Sequence, residues 1–319
     1  MKSLIRKFLM GDTAFSPYSK ITAADQLREK VYLELPDRLL DVSGSHWILC
    51  IEPLVFGVWI GEAVGPVDEC RLYFCDGDLD GSGPGRARAA EPGAHGDAEA
   101  IVSAKLLDRV DEEEGSLLLL ELKSSRIHSL PFLKTWLLYY RYYRKGLPFA
   151  RFKAYVAAYS YPRRIRIVSF RQDDYYNIFP MDLLGAIPGQ DRYVFGLRHT
   201  NTALPRILET GDLVVSEASF RYKDLIYGLG KHHSGSPPPP EDLPFRLALT
   251  DTFGFPTPDW VESYKEVRIV KTLDMGSHML LWGEVIHEKV LTPPVEHLFL
   301  VHFLHYLHQK NNGFIYQGA

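Results

Sequence analysis

Cysteine is scarce in this sequence, and its spacing indicates no site. The 319 residues include 3 cysteines, and no two of them have C-x-x-C spacing: Cys50, Cys70 and Cys75. An odd set without that spacing argues against a disulfide framework and against a thiolate zinc site. We therefore expect a reducing compartment, the cytoplasm.

Long apolar runs are also missing. The longest candidate, residues 47–60, is interrupted by Glu52, Pro53 and Gly57, whereas a membrane-spanning helix needs about 20 predominantly apolar residues. The first residues, MKSLIRKFLMGD, carry bases, but their apolar run is too short for a secretory signal. We expect neither a membrane span nor a signal peptide.

Charge of one sign is not in excess over the whole chain. The 40 acidic and 36 basic residues leave a formal net charge of -4, which indicates no general attraction to nucleic acid or to a membrane. Residues 122–172 depart from this balance, because they contain many bases and interleaved tyrosines but no acidic residue. Such a segment is typical of single-stranded nucleic acid binding. Acidic residues at 112–114 and 173–174 offset it, so nucleic acid is unlikely as a partner and a polyanion-binding protein is the less favoured alternative.

Two common nucleotide-binding motifs are absent. No G-x-G-x-x-G opens a helix after a strand and no G-x-x-x-x-G-K-[ST] occurs, so Rossmann and P-loop sites are not expected.

Apolar patterning predicts helices at 23–33, 130–145, 202–210 and 295–310, the third capped by Thr202 and ended by Gly211. It predicts strands at 47–56, 71–74, 116–122, 165–170, 193–197, 213–218, 267–273 and 278–290. This order favours a closed or split β-barrel over a doubly wound sheet, and no internal repeat is visible.

Two local patterns resemble metal sites. Residues 76–81 (DGDLDG) match the start of an EF-hand loop, but Ala87 stands at the twelfth position, where the loop needs Glu. The predicted terminal helix carries His302 and His305 three residues apart, without the carboxylate of an HExxH motif. We interpret the first as an acidic turn in a flexible insert at 76–99, and the second as an apolar helix with histidines at its rim. We predict no metal site.

Aromatic residues are abundant: 18 Tyr, 17 Phe and 5 Trp make up 13% of the chain. Their flat faces suit both stacking on ring ligands and ordinary packing, so composition leaves both open.

Three segments of the second half carry polar residues suited to a nucleotide. Residues 177–182 (NIFPMD) follow a predicted strand, and residues 198–202 (RHTNT) lie between a strand and a short helix. Residues 276–278 (GSH) precede a strand that contains WGEV. The N–H groups at a helix start attract anions, so the middle segment suits a phosphate. A plain helix cap is the alternative explanation.

The order of these segments resembles that of the flavin reductase-like family, which has the FMN-binding split-barrel fold. The resemblance covers about residues 161–290 and is carried by PRRIRIVSFRQDDYYNIFPMD, YVFGLRHTNTALPRILETGDLVVSEA and KTLDMGSHMLLWGEV. It implies a mainly β fold with helices (α+β). The split barrel with a C-terminal helix would occupy residues 151–319, and an α+β extension that the resemblance does not explain would occupy residues 1–150.

The resemblance also implies site residues. It assigns the loop against the flavin ring to Asn177, Phe179, Pro180, Met181 and Asp182. It assigns the phosphate end to Arg198, Thr200, Asn201 and Thr202, and a base near the phosphate or ribityl chain to Lys231. His278 is similar to the hairpin histidine that borders the nicotinamide, and it is the candidate catalytic residue. The chain departs from the family pattern at Ser277, where Asp is common, and at Pro180, where Thr or a small residue is common.

From this resemblance we expect an FMN-binding flavoprotein that moves hydride from NAD(P)H to flavin, a chemistry that the cofactor supplies and the protein orients. Its partners would be flavin and nicotinamide nucleotides. It would form a homodimer, with the terminal helix as a contact element. A flavin-binding module without turnover is the alternative from another functional class.

Overall fold

The computed structural model describes residues 16–23, 27–62, 64–78, 98–232, 235–293 and 296–318. Most of the predicted insert at 76–99, including all but the first three residues of its EF-hand-like turn, lies outside these residues. The first part of the chain forms strands β1 (Tyr18–Ala23), β2 (Lys30–Glu34), β3 (Leu39–Asp41), β4 (His46–Cys50), β5 (Val55–Ile60), β6 (Glu69–Cys75), β7 (Ala98–Glu112) and β8 (Gly115–Ile127).

Helices connect this part to a second set of strands. Helix α1 (Phe132–Leu138) continues into a π-helical turn at Tyr139–Tyr143 and is followed by α2 (Phe149–Ala158). The next strands are β9 (Arg163–Arg164), β10 (Arg166–Gln172), β11 (Tyr175–Met181), β12 (Leu184–Ala186) and β13 (Arg192–Arg198).

The remaining elements include three further helices: α3 (Leu204–Thr210), α4 (Lys223–Leu229) and α5 (Phe303–Asn311). The remaining strands are β14 (Asp212–Glu217), β15 (Leu247–Leu249), β16 (Pro256–Pro258), β17 (Ser263–Asp274), β18 (His278–Val290) and β19 (His297–His302). Short 3-10 turns lie at Phe220–Tyr222, Gly230–His232 and Pro240–Asp242.

Two seven-stranded antiparallel sheets form the body of the molecule. The first sheet has the order β3-β2-β6-β7-β8-β5-β4, and the second sheet has the order β11-β10-β14-β17-β18-β13-β12. Strands β1, β19 and β9 form a smaller sheet from both ends of the chain. The expected mainly β fold with helices is confirmed.

Each large sheet encloses its own apolar core. Inside the first sheet, Leu33, Phe56 and Leu118 pack with Ala154 and Ala157 of helix α2. Inside the second sheet, residues such as Phe170, Phe195 and Val215 pack with Leu204 and Ile207 of helix α3. Burial of these side chains is the main favourable term that holds each helix on its sheet.

A third core lies between the two sheets. It joins Leu49, Trp59 and Leu119 of the first sheet to Val194 and Trp282 of the second. The Trp59 and Trp282 ring centroids are 6.1 Å apart. The sheets therefore meet through strands β4, β5 and β8 on one side and β13 and β18 on the other.

Three predicted elements differ from the structure. Residues 47–56 form two strands, because the chain turns at 51–54, where Pro53 lacks the N–H that a strand would use. The helix expected at 23–33 is wrong over the described residues, since Ala23 ends β1 and Lys30–Glu34 is strand β2, with both faces of Val31–Leu33 buried.

The third difference concerns the C-terminal segment. Strand β19 occupies the first half of the helix expected at 295–310, and α5 begins only at Phe303. Strand β19 pairs with β1 and β9, and Leu298–Phe299 are buried in that position. An apolar run without clear period fits either a buried strand or a buried helix, and here pairing with two distant strands decided it.

Candidate functional site

A cavity of about 460 Å³ lies where the second sheet meets helix α2 and the turn that follows β4. Its volume falls within the range of about 300–1,000 Å³ that small-molecule sites occupy. The cavity brings together these residues of the three sequence segments: Phe179, Pro180, Met181, Asp182, Arg198, Asn201 and His278. At the cavity, edge strand β11 lies close to β13 and β18, which are near the opposite edge of the same sheet.

One wall of the cavity is apolar and comes from the end of strand β11. Phe179 and Met181 are buried, and Pro180 between them is half-buried. Strand β11 is the edge strand of the second sheet, so Pro180 costs the sheet no ladder hydrogen bond on its outer side. Phe179 and Met181 also pack in the core of the second sheet, so this wall is apolar and held by that core.

Asp182 places a carboxylate at the end of the apolar wall. The hydroxyl of Tyr159 donates a hydrogen bond to its Oδ2 at 3.0 Å. Burial raises the pKa of Asp182 above its ordinary value, although the Tyr159 hydrogen bond and the nearby Arg163 guanidinium act in the opposite direction. Asp182 is therefore a hydrogen-bonding group in a poorly solvated position.

His278 begins strand β18 and is almost fully buried. Its Nδ1 lies 2.7 Å from the Ser277 Oγ and 3.5 Å from the Ile51 amide nitrogen. Burial, reinforced by the Arg198 guanidinium and the nearby His199 ring, lowers the pKa of His278 to about 4. At neutral pH, His278 is an uncharged imidazole on the wall of the cavity.

Arg198 and Asn201 lie at the more open end. The Arg198 side chain is exposed, whereas Asn201 is buried and its Oδ1 accepts a hydrogen bond from the Ala203 N–H at 2.9 Å. The predicted cap at Thr202 is thus wrong, because Asn201 satisfies this amide and helix α3 begins later, at Leu204. The predicted helix end at Gly211, with φ 73°, is confirmed.

Four predicted site residues lie outside the lining of this cavity. Asn177 is fully buried in β11, where its Oδ1 accepts a hydrogen bond from the Ile178 N–H at 2.8 Å. Thr200 and Thr202 are exposed. Lys231 is exposed in the turn whose Gly230 packs near Pro180.

Residues outside the three segments complete the lining. Tyr18, Ile51, Tyr155 and Tyr159 approach from β1, the turn after β4 and helix α2. Sequence analysis did not identify them, although Tyr155 and Tyr159 are four residues apart and hence on one helix face. Their position next to β11 depends on packing between distant parts of the chain, which no local sequence pattern predicts.

Two glycines allow the sheets to approach each other at this site. A Cβ atom on Gly196 would lie 1.7 Å from the Leu49 carbonyl oxygen, and one on Gly276 would lie 2.8 Å from the Glu52 carbonyl oxygen. Gly276 also has φ 106°, which side-chain-bearing residues rarely adopt. Larger residues at these positions would push the first sheet away from the cavity.

Several basic side chains of segment 122–172 bond to groups within the fold. Arg163 is buried and donates to the Ala158 carbonyl oxygen at 2.8 Å, while Arg164 and Arg166 pair with Glu217 at 3.0 and 2.5 Å. Lys123 pairs with Glu69. These bases neutralise acids of the fold, which argues against one continuous polyanion-binding face.

Within the described residues, no group of three His, Cys, Asp or Glu side chains is arranged to hold a metal ion. His302 and His305 are buried rather than at a rim, and His305 Nδ1 lies 2.6 Å from Glu99 Oε2. All three cysteines are buried, and none of them forms a disulfide. No helix in the part of the chain that the structure describes is both long and apolar enough to cross a membrane.

Comparison with known proteins gives partial structural matches only. The sequence matches no protein-family model, and no curated protein matches it. An FMN-binding protein of Thermus thermophilus with bound p-hydroxybenzaldehyde is 20% identical over 41% of this chain and 73% of its own, with a TM-score of 0.37. An NADH:FAD oxidoreductase of Streptomyces globisporus is 14% identical over 48% of this chain and 88% of its own, with a TM-score of 0.42.

A flavoredoxin of Methanosarcina acetivorans is similar to the same extent, at 15% identity over 41% of this chain and 69% of its own, with a TM-score of 0.35. At such identities a likeness concerns the fold and does not extend to activity. Each of these matches covers less than half of this chain, and each has a TM-score below 0.5.

Proposed function

We propose that this chain is an FMN-binding flavoprotein that acts as an NAD(P)H-dependent flavin reductase. The observation that supports this most strongly is the cavity itself, which is lined by the apolar end of β11 together with Asp182, Arg198, Asn201 and His278. A flat apolar surface with a few convergent polar groups is the usual composition of a cofactor site.

Different parts of the lining would contact the ring, the ribityl chain and the phosphate of FMN. Phe179, Pro180 and Met181 would cover the ring, and Asp182, at the poorly solvated end, would accept a hydrogen bond from a ring N–H or a ribityl hydroxyl. Arg198, at the exposed end, would pair with the phosphate. When bound, FMN would supply the ring that accepts a hydride, a reaction for which side chains alone have no suitable group.

His278 would act on the nicotinamide side. Its Nδ1 is held by the Ser277 hydroxyl at 2.7 Å, which fixes the plane of the ring on the cavity wall. Because its pKa is about 4, the imidazole would remain neutral at physiological pH and would orient a nicotinamide carboxamide by hydrogen bonding. We therefore expect no inflection in the reduction rate near pH 6.5, the ordinary pKa of histidine.

The visible spectrum of the purified protein tests both parts of this proposal. The protein should be yellow as isolated or after incubation with FMN, and NADH or NADPH should bleach it in the absence of oxygen. A protein that stays colourless and free of flavin would overturn FMN binding. A yellow protein that neither nucleotide bleaches would overturn reductase activity and leave a flavin-binding module.

Two further expectations concern the cellular compartment and the oligomeric state. The cytoplasm is our proposed compartment, supported by three buried cysteines that form no disulfide. The homodimer is an expectation from the resemblance alone, and its expected contact element is buried inside the chain: Phe303, Leu304 and Leu307 of helix α5 pack with Ile21 and Phe299.

A further inference from the structure

The two large sheets share one strand order. The seven strands of the first sheet can be called first to seventh in chain order, from β2 to β8, and those of the second sheet likewise, from β10 to β18. From one edge to the other, both sheets then have the order second, first, fifth, sixth, seventh, fourth, third. Every neighbouring pair is antiparallel in both. The sixth and seventh strands form the longest hairpin in each case, β7–β8 and β17–β18. Seven strands can be ordered in very many ways, so this agreement indicates two copies of one fold.

The two copies pack against each other through corresponding strands. The core between them comes from the third, fourth and seventh strands of the first sheet and from the fourth and seventh strands of the second. Gly196 of β13 lies directly against the backbone of Leu49 in β4. The chain thus contains, within itself, the face-to-face contact that two subunits of a dimer would make.

Strand register identifies equivalent positions in the two copies. The hairpin between the sixth and seventh strands pairs Asp111 with Ser116 in the first sheet and Asp274 with Met279 in the second, and the next residues, Leu117 and Leu280, both lie in the core between the sheets. Ser116 therefore corresponds to Met279, and Gly115 corresponds to His278. On the fourth strand, Ile60 and Leu197 pair with Ser116 and Met279 and both lie in the inner core of their sheet, so Gly61 corresponds to Arg198. The first sheet has neither the cation nor the imidazole at these places.

The first sheet has also closed the place around Gly115, where a Cβ atom would lie 2.3 Å from the Ile60 carbonyl oxygen and where neighbouring side chains bond to one another. Arg109 donates to the Ser116 Oγ at 2.8 Å and to the Val64 carbonyl oxygen at 2.9 Å, and the Ser116 hydroxyl donates to Asp111 Oδ1 at 2.6 Å. Among the described residues, the connection from β5 to β6 contains no helix, whereas β13 leads into helix α3. The polar groups that a nucleotide would contact are satisfied internally here.

We propose that the first sheet is a built-in partner that has lost its own binding site and completes the site of the second sheet, so that each chain binds one flavin nucleotide without a second copy. The identity of the ligand rests on the proposed function. The number of sites per chain and the monomeric unit rest on the repeated fold and on the differences between the two copies.

The contact by which the first sheet completes the site is the turn at 51–54. Ser277 donates its backbone N–H to the Glu52 carbonyl oxygen at 2.8 Å, and its Oγ accepts from the Glu52 N–H at 3.0 Å. The same Oγ contacts His278 Nδ1, and Ile51 lines the cavity. Ser277 is thus a positioning residue that fixes His278 relative to the other copy.

Binding stoichiometry and particle mass test the number of sites. The full-length protein is titrated with FMN by equilibrium dialysis, and its mass is measured by light scattering. We expect one FMN per chain in a particle of 36.4 kDa. Two FMN per chain, or FMN bound only in a particle of twice that mass, would overturn the proposal. If no FMN binds, the proposed function fails; a 36.4 kDa particle then still supports the built-in partner, and a larger one overturns it.

Variants in each of the two copies test which copy holds the ligand. Arg198→Ala should weaken FMN binding by about 10-fold or more, the effect of one charge-assisted hydrogen bond. Ser116→Ala, next to the place equivalent to His278, should leave FMN affinity and stoichiometry unchanged even if it lowers stability. Loss of FMN binding in a folded Ser116→Ala protein would overturn the assignment of the site to the second sheet.

The positioning role of Ser277 has a separate readout. Ser277→Ala should leave the Kd for FMN unchanged but lower the rate of reduction by NADH and shift the imidazole NMR titration of His278. Ser277→Thr, which keeps the hydroxyl, should restore both. A Ser277→Ala protein with the native His278 titration and rate would show that the first sheet does not act on the site through this contact.

Discussion

The residue with the most informative surroundings is His278. The groups around its ring are the Ser277 hydroxyl, the Cys50 thiol at 3.6 Å and the Ile51 amide. None of these is an anion, so nothing compensates for the burial that lowers the pKa of the imidazole to about 4. The departure from the family pattern at Ser277 therefore has a physical consequence, because an aspartate there would have favoured the charged form.

At the residue scale, the first prediction concerns Arg198. Arg198→Ala should weaken FMN binding by about 10- to 100-fold, since a hydrogen bond to a charged group contributes about 1.5–3 kcal/mol. Riboflavin, which lacks the phosphate, should lose no more than about 2-fold, which is within the scatter of such comparisons. Fluorescence titration of both ligands measures the difference.

Lys231→Ala provides the matched control for this prediction. Lys231 is an exposed base of the same half that lies outside the cavity lining, so its removal should leave the affinity for both ligands unchanged. Equal weakening of FMN and riboflavin by Arg198→Ala would contradict the phosphate assignment.

At the scale of elements, the close contact between β13 and β4 is the decisive feature. Gly196→Ala would place a methyl group 1.7 Å from the Leu49 carbonyl oxygen, and neither backbone can yield without separating the sheets. We expect a loss of about 1–3 kcal/mol in the free energy of unfolding, measured in urea, together with weaker FMN binding. Gly228→Ala is the control, because no atom lies within 4 Å of the added carbon and the residue is helical. A Gly196→Ala protein as stable as the native one would contradict the close approach.

Helix α5 is tied to the first sheet by a buried ionic cluster. His305 Nδ1 lies 2.6 Å from Glu99 of β7, and its Nε2 lies 2.8 Å from the Tyr316 hydroxyl, which also contacts Glu29. Burial alone would lower the pKa of His305, but hydrogen bonds to Glu29 and Glu99 raise it to about 9. The same contacts overcome the burial of Glu99 and lower its pKa to about 2.

This cluster should make stability fall as the solution becomes alkaline. The folded-state pKa of His305 lies above the ordinary value of 6.5, so its contribution is complete below pH 6.5 and is lost as the pH rises through about 9. The loss should amount to about 2–3 kcal/mol in the free energy of unfolding. The variant His305→Gln should be less stable at pH 6.5 and show a flatter profile up to pH 9. An unchanged profile in this variant would contradict the cluster.

At the scale of the whole molecule, buried neutral histidines should make the protein sensitive to acid. Burial lowers the pKa of His46, His278 and His302, the last to about 3. An unfolded chain protonates these rings near pH 6.5, but the folded chain does so only at lower pH. Stability should therefore decline as the pH falls from 6.5, with each histidine contributing about 1.4 kcal/mol per pH unit once the pH is well below that value.

The variant His302→Asn tests how much of this pH dependence comes from His302. His302 Nδ1 accepts a hydrogen bond from the Leu304 N–H at 3.1 Å and so caps helix α5, a role that asparagine can also fill. Urea unfolding between pH 6.5 and 4.5 should then show a pH dependence smaller by about one bound proton. A variant with the native pH dependence would show that His302 is not kept neutral by burial.

Local signals in the sequence were sufficient for the elements whose polar and apolar residues alternate clearly. The hairpin around Gly276, strand β13 and the end of helix α3 at Gly211 lie where the sequence predicts them. Residues 298–301 were assigned to a helix, because an uninterrupted apolar run carries no period and the partners β1 and β9 are distant in sequence. The sequence also did not predict the repeated sheet, because the two copies share an order of strands and not a pattern of residues.

Sequence alone determined the mainly β class, the resemblance over about residues 161–290 and the candidates Asp182, Arg198 and His278, because turn chemistry, alternation and short polar segments are local properties. Only the tertiary structure decided which of those candidates share a cavity with Tyr155 and Tyr159, and that Asn177 and Lys231 do not. It also decided that the unexplained first half is a second copy of the same sheet. Such features depend on contacts between residues far apart in the chain, and pairing and packing form them without leaving a periodic pattern.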